Sequence, residues 1–337
     1  MIIKNYLTET LGIEFPLIMA PMHYVSNVLM VKEAMKQGIA GTFPSLNYRK
    51  EGELEAVLDE LNGFLQSNQV TGTYGINLIV GKSNPLYEKH LKICVEKKVP
   101  FYITSLGNPQ QVVEAAHSYG AKVLSDVTNL KHAHKAKQTG TDGFIAVGQG
   151  AGGHAGPYPL HLLIPALRRE FPQMPIIAAG GISTGEGILA MITLGASGVS
   201  MGTRFISSSE CAVSDEYKNG ILNATMEDVI LTDRLTGTPS AVIYNDFIKK
   251  LGVKQGFFEK TLSTNKFTKK YFKMYIQIRG MKWLEGKVIP GSKDSLWMAG
   301  QSVELIKDIK PISQIVTDLK SELHVSYQKL NANFLAV

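Results

Sequence analysis

Cysteine is nearly absent from this chain: among 337 residues only Cys94 and Cys211 occur. Two thiols cannot build a disulfide framework or a Cys-rich zinc site on their own. No metal site is expected, and a reducing cytoplasm is the expected compartment. Long apolar runs are missing as well. No window approaches the roughly 18 uninterrupted apolar residues of a spanning helix, so no membrane partner is expected. The opening MIIKNYLTETLG has no long apolar core and no small-residue cleavage pattern, so no signal peptide is read there. H-E-x-x-H, P-loop and G-x-S-x-G patterns are all lacking, which removes the commonest zincin, Walker and α/β-hydrolase readings. Hydrophobic residues at 44% and charged residues at 19% describe an ordinary globular chain and exclude a disordered or fibrous one.

Charge is present but unevenly placed. Between Asn245 and Lys287 eleven Lys or Arg face three acids, a local excess of +8 in a chain of net +6. Such a surface attracts an acidic protein or a phosphorylated cofactor, or it is simply a solvated helical face. Its aromatics, Tyr271, Phe272, Tyr275 and Trp283, fall at helix-like spacing, which favours packing over base stacking, so no nucleic-acid partner is expected.

Eight short apolar runs occupy the first two thirds. They are 17–21, 39–43, 74–80, 99–105, 122–127, 143–147, 175–180 and 198–202, each too brief for a helix. Helix-compatible stretches such as NVLMVKEAMKQG and GEGILAMITLGA separate them. Several runs are apolar on both parities, as strands are when helices cover one face and a barrel interior the other. Eight such repeats over roughly 205 residues predict an α/β fold of the (β/α)8 TIM barrel type; a doubly wound open sheet is the alternative, because sequence does not show closure. Residues 209–224 are expected to form the eighth barrel helix. The domain reading is a barrel over 1–224, a small, basic, mostly helical appended domain over 225–300, and helices over 301–337 that split near Pro311 and return to the barrel.

In such a barrel the chemistry sits at the C-terminal ends of the strands, with phosphate often held after strands seven and eight. Both places carry glycine. AAGGIST (178–184) supplies Gly180 and Gly181 before a helix, where bare backbone N–H groups and the helix N-terminus favour an oxyanion. MGTRF (201–205) supplies Met201, Gly202 and Thr203, with N–H and hydroxyl donors for the same anion. A third cluster, GQGAGGHAGPYP (148–159), contains a formal G-x-G-x-x-G match. Pro157 and Pro159 argue against the helix a dinucleotide fold needs there. What remains is a glycine-rich loop presenting His154 at the mouth for catalysis or ligand contact. Of the other histidines, His23 alone is expected to face the mouth. His132 and His134, two apart on a helix, point to different faces, and His90, His117, His161 and His324 are read as surface residues.

These residues resemble a known family. PLIMAPM (16–22), GINL (75–78), GTDGFIAVGQGAGGHAG (140–156), AAGGIST (178–184) and GVSMGTRF (198–205), with LTGTPSAV (235–242) and WMAGQS (297–302), together resemble the nitronate monooxygenase family, formerly called 2-nitropropane dioxygenases. That superfamily of FMN barrels includes the flavin-type enoyl-ACP reductases. The resemblance implies that Pro21 and Met22 lie against the isoalloxazine, that Asn77 contacts the flavin, and that Gly152 and Gly153 pass beside it. It further implies that Gly180, Gly181, Gly202 and Thr203 bind the FMN phosphate and that His154 acts on substrate. Two departures stand out. Some bacterial members carry a lysine near the flavin at the end of strand five, where this chain has Asp126, which cannot donate as an ammonium does and is expected to bind the cofactor's ribityl hydroxyls or to polarise the ring differently; Gly150 stands where the family often has a glutamate or another residue, leaving more room beside the ring.

The resemblance implies an FMN-dependent oxidoreductase that oxidises a small nitronate with O2 to a carbonyl compound and nitrite. His154 would take the α-proton of a neutral nitroalkane. The alternative is NAD(P)H-dependent reduction of an enoyl thioester or a quinone, with acyl carrier protein drawn to the basic segment. A phosphate-ligand barrel without flavin is a third possibility.

Overall fold

A computed structural model describes residues 3–81, 84–235, 239–254 and 296–333. Helix α1 (Tyr6–Leu11) precedes the barrel. Its N-cap Asn5 and Thr8 form a reciprocal capping box, and Gly12, at φ +65°, ends it in the left-handed conformation that glycine adopts without strain. Strands β1 (Leu17–Met19), β2 (Ala40–Pro44), β3 (Thr73–Ile79), β4 (Phe101–Ser105), β5 (Lys122–Val127) and β6 (Gly143–Val147) follow in order. They alternate with α2 (Val28–Lys36), α3 (Glu53–Ser67), α4 (Tyr87–Glu96), α5 (Gln110–His117) and α6 (Leu130–Gln138). A two-residue strand, β7 (Gly153–His154), interrupts the series, which resumes with α7 (Leu160–Glu170), β8 (Ile176–Ala179), α8 (Gly185–Thr193) and β9 (Gly198–Met201).

The parallel sheet closes. β1 pairs with β2 on one side and with β9 on the other, in the register Leu17 to Val199, Ile18 to Ser200 and Met19 to Met201. Each of the eight expected runs overlaps one of these strands, with β2 extending one residue beyond its run and β3 beginning one residue before its own, and the open-sheet alternative is excluded. Inside, Ile18, Phe101, Ile103, Leu124, Ile145 and Ile177 form one apolar cluster, with Leu7 and Leu11 of α1 plugging the end away from the mouth. Gly75 is required by volume here: a Cβ on it would meet the Phe101 ring at 2.4 Å. A second, larger core lies between the strands and the surrounding helices, which is why strands buried on both faces show little alternation in sequence.

Three features differ from expectation. Residues 209–224 hold only α9's successor: after the four-residue α9 (Thr203–Ile206), α10 (Asp215–Asn223) spans nine residues. The place between α8 and α2 is taken instead by the C-terminal helix, whose buried Ile312, Ile315, Val316, Leu319 and Leu323 repeat at three- and four-residue spacing. Gly185 permits this, because a Cβ there would lie 2.3 Å from the Leu323 nitrogen. Secondly, the described part of 225–300 opens with strands β10 (Val229–Thr232) and β11 (Ser240–Ile243) before α11 (Asp246–Leu251); the C-terminal helix, α12 (Ile312–Asn333), comes after a short 3-10 turn over Gln301–Leu305. Finally, β11 pairs antiparallel with both β10 and β7, placing Ser240 opposite His154 and Ala241 opposite Gly153. The basic residues from 260 to 287, with Tyr271, Phe272, Tyr275 and Trp283, lie outside the described residues, as does Thr236–Thr238 of the LTGTPSAV stretch. Among the described residues no helix is long and apolar enough to cross a membrane.

Candidate active site

The C-terminal ends of the barrel strands open into a cleft of about 1120 Å³, slightly above the roughly 300–1,000 Å³ that ordinarily holds one small ligand. Eleven of the twelve residues singled out from sequence line it. Pro21 and Met22 enter from the end of β1, Asn77 from β3, Asp126 from β5, and Gly152, Gly153 and His154 from the loop after β6. Gly180, Gly181, Gly202 and Thr203 complete the wall after β8 and β9. Met201 does not reach the cleft: it is buried within β9 and its carbonyl accepts the Ala20 N–H at 2.8 Å.

The glycines divide by role. Gly180, at φ +114°, would bring a Cβ within 2.6 Å of the Ala151 nitrogen, so its bareness serves close packing of the loops after β6 and β8. Gly181, at φ +73°, and Gly202 line the cleft, and a Cβ on either would meet its nearest neighbour at ordinary contact distance, 3.7 Å and 3.5 Å. Among the described residues, none accepts a hydrogen bond from the N–H groups of Gly180, Gly181, Gly202 or Thr203. Four bare donors at the ends of adjacent strands make a ready site for an oxyanion. The Thr203 hydroxyl accepts from the Gly300 N–H at 3.0 Å and keeps its own proton to donate.

His154 stands on β7, held by main-chain pairing to β11 and not by packing of its flanking glycines. Its side chain is open to the cleft, yet the surrounding protein displaces water from the imidazole and holds its pKa below the usual 6.5. His23 shares the cleft, as expected, and burial chiefly, with help from Arg49 and His154, lowers its pKa to about 4. Both rings are therefore uncharged bases near neutrality. His132 and His134 diverge, toward the Thr128 hydroxyl at 3.0 Å and Glu170 at 3.1 Å; His132 also lines the cleft, which corrects the expectation that His23 alone of the other histidines would. His90 corrects the surface reading: it is 3% exposed inside α4, where the amphipathic repeat turns it toward the core.

Sequence reasoning passed over Ser105, at the end of β4. It accepts from Asn77 Nδ2 at 2.8 Å and donates to Asp126 Oδ2 at 2.6 Å, linking three adjacent strands. A lone serine closing the FYITS strand has no signal of its own; β4 lying between β3 and β5 reveals it. Met298 and Ser302 also line the cleft from the returning segment. Trp297 packs instead, stacked on Tyr217 at 5.9 Å, while the Tyr217 hydroxyl donates to the Met298 carbonyl at 2.6 Å.

The returning segment touches the His154 loop backbone to backbone. A Cβ on Gly300 would lie 2.4 Å from the Gly150 oxygen and 2.9 Å from the Gly152 nitrogen. Gly300→Ala is expected to cost about 1–3 kcal/mol by overpacking, lowering the melting temperature by several degrees and loosening the loop that carries His154. A melting curve superimposable on that of the parent chain would refute this.

A model of the nitronate monooxygenase family matches residues 54–322. A Mycobacterium tuberculosis protein named (3aS,4S,5R,7aS)-5-hydroxy-7a-methyl-1-oxo-octahydro-1H-indene-4-carboxyl-CoA dehydrogenase is 29% identical over 253 residues, covering 74% of this chain and 69% of its own length. A probable nitronate monooxygenase of Staphylococcus aureus is 27% identical over 297 residues, covering 75% of this chain and 82% of its own. The solved structure of FabK from Thermotoga maritima superposes with a TM-score of 0.83 at 28% identity, over 98% of this chain and all of that one.

Proposed function

This chain belongs to the nitronate monooxygenase family and is an oxidoreductase, and from that premise we propose that it uses FMN to oxidise small alkyl nitronates with O2 to a carbonyl compound and nitrite. The observation that carries the reading is His154: an uncharged imidazole at the mouth of a cleft whose far wall is built for an anion. The cleft fits FMN. The unpaired N–H groups of Gly180, Gly181, Gly202 and Thr203, all on residues that line the cleft, suit its phosphate. Pro21 and Met22 offer an apolar surface for a flat ring, and Asn77 and Asp126 offer polar groups for its edge. Bound there, the flavin would supply the redox chemistry.

The chain's own residues bind, orient and move a proton. A neutral nitroalkane would give its α-proton to a ring nitrogen of His154, and the resulting imidazolium would then stand beside the nitronate anion. A preformed nitronate needs no such transfer. Met298 and the 150–153 loop line this side of the cleft.

A second reading, reduction of an elongated acyl thioester, is favoured by one observation. The cleft does not stop at the barrel mouth; it continues past Leu106 to Thr128, His132 and Lys135 on the α6 side, room that a small nitronate does not need. One experiment separates the readings. The purified yellow protein is mixed without oxygen with propionate 3-nitronate, and separately with NADH or NADPH. Loss of colour with the nitronate, and nitrite on admitting air, is the expected result. Bleaching by NAD(P)H with no response to nitronate would overturn the proposal in favour of the second reading. A colourless protein that takes up no FMN would overturn both.

A further inference from the structure

Asn77, Ser105 and Asp126 form a hydrogen-bonded chain whose direction is fixed by its ends. Asn77 Nδ2 has two protons. One goes to the Ile103 carbonyl at 3.1 Å, which only a donor can satisfy, and the other to Ser105 Oγ at 2.8 Å. The amide is thereby oriented, and its Oδ1 is left as an acceptor on a residue that lines the cleft. Ser105 has a single proton, and it goes to Asp126 Oδ2 at 2.6 Å. Asp126 must accept there, so the proton of its neutral form sits on Oδ1, the oxygen that Ser105 does not engage. The floor of the cleft at β3 and β5 then presents an acceptor from Asn77 and, when Asp126 is neutral, a donor from Asp126. When Asp126 is ionised it presents two acceptors.

We propose that Asn77 and neutral Asp126 form a paired acceptor and donor for the imide edge of the flavin, N3–H to Asn77 Oδ1 and a flanking carbonyl oxygen from Asp126 Oδ1–H, so that flavin binding takes up one proton. This rests on the flavin reading of the cleft and adds to it the part played by the residue that departs from the family's lysine. The isoalloxazine carries its only adjacent donor and acceptors along that imide edge. The anion cradle at β8 and β9 lies across the mouth from β3 and β5 in the closed strand order, which suits a long ligand with phosphate at one end and imide at the other. An ionised Asp126 would face the carbonyl oxygen with a second acceptor and a negative charge, and binding would be lost.

Burial displaces the Asp126 pKa upward, opposed in part by the Ser105 hydrogen bond, to about 6, so the neutral form is accessible near physiological pH. The neighbouring strands contribute no charge here: Asn77 and Ser105 are neutral, and β6 offers Ile145 and Val147 to the cleft. The other titratable side chains on the cleft are His23, His132, Lys135, His154 and Tyr217. All are common to the parent chain and its Asp126 variant, so a comparison of the two isolates Asp126.

The test uses the full chain freed of flavin and titrated with riboflavin, whose lack of a phosphate removes that group's own titration. Affinity is measured between pH 5.5 and 8.5, and proton uptake by calorimetry in two buffers of different ionisation enthalpy. In the parent chain, Kd is expected to rise with pH above about 6, approaching tenfold per unit, with close to one proton taken up per flavin at the alkaline end. Asp126→Asn, which keeps a donor and an acceptor but cannot ionise, is expected to bind with a nearly flat pH dependence and without that proton. Ser105→Ala frees the carboxylate from its donor and should move the onset of the rise to higher pH. Matching pH profiles in the parent and Asp126→Asn, or binding without proton uptake, would overturn the pairing while leaving the flavin reading intact. Failure of riboflavin and FMN to bind at any pH would overturn both.

Discussion

Replacing His154 by Asn is expected to lower turnover of a neutral nitroalkane by roughly 10²–10⁴-fold, the range of a lost general base, while turnover of the preformed nitronate stays within its original order of magnitude. Asparagine keeps a polar side chain of similar reach but offers no titratable nitrogen. The main-chain pairing of β7 to β11 does not depend on the side chain, so the loop should hold. Steady-state nitrite release from the two substrates decides the matter: equal losses on both would mean that His154 binds and does not act as a base. The pH profile is a second check with a definite sign. Because burial holds the imidazole's pKa below the ordinary 6.5, nitroalkane turnover should rise with pH through a value below 6.5 and be level above it. An acid limb above 6.5 would show that the charged form is favoured in the cleft.

Ending the chain after Lys310 is expected to abolish cooperative folding. Helix α12 buries Ile312, Ile315, Val316, Leu319 and Leu323 against the barrel's outer helices. A single Leu or Ile reduced to Ala in such a position costs roughly 2–5 kcal/mol, against a total stability of about 5–15 kcal/mol for a typical domain. Removing the whole stripe therefore exceeds the margin. Polar ties go with it: Glu322 caps the N-terminus of α8 by accepting the Gly185 N–H at 2.7 Å, and Lys320 donates to the Gln37 carbonyl at 3.1 Å. The milder Leu319→Ala should fold and lose about 2–5 kcal/mol in denaturant titration. A truncated chain that melts as sharply and as high as the parent would disprove the structural role of α12.

Much of the fold was legible because strands are local. Each of the eight short apolar runs overlaps a barrel strand; 122–127 and 143–147 match their strands residue for residue. The rejection of a dinucleotide fold at 148–153 also stands, since a strand and a turn precede α7, whose N-cap is Pro159. The eighth barrel helix was misread because residues 209–224 and 312–333 both carry helical spacing. Spacing reports that a face is apolar but not which neighbour covers it. His90 was misread for the same reason: its type suggests a surface, and its register in α4 buries it.

Local order in the sequence is enough to specify the alternating elements, the glycine clusters after β6, β8 and β9, and a histidine in a loop, because propensity, turn chemistry and apolar period act over a few residues. Closure decided everything that depends on distance. The β1 to β9 pairing brings Met22 beside Gly202; adjacency of β3, β4 and β5 joins Asn77, Ser105 and Asp126; and pairing with β11, far along the chain from β7, sets the His154 backbone opposite Ser240. Hydrogen bonds and desolvation act between neighbours in space, and a barrel makes neighbours of residues that the chain keeps far apart.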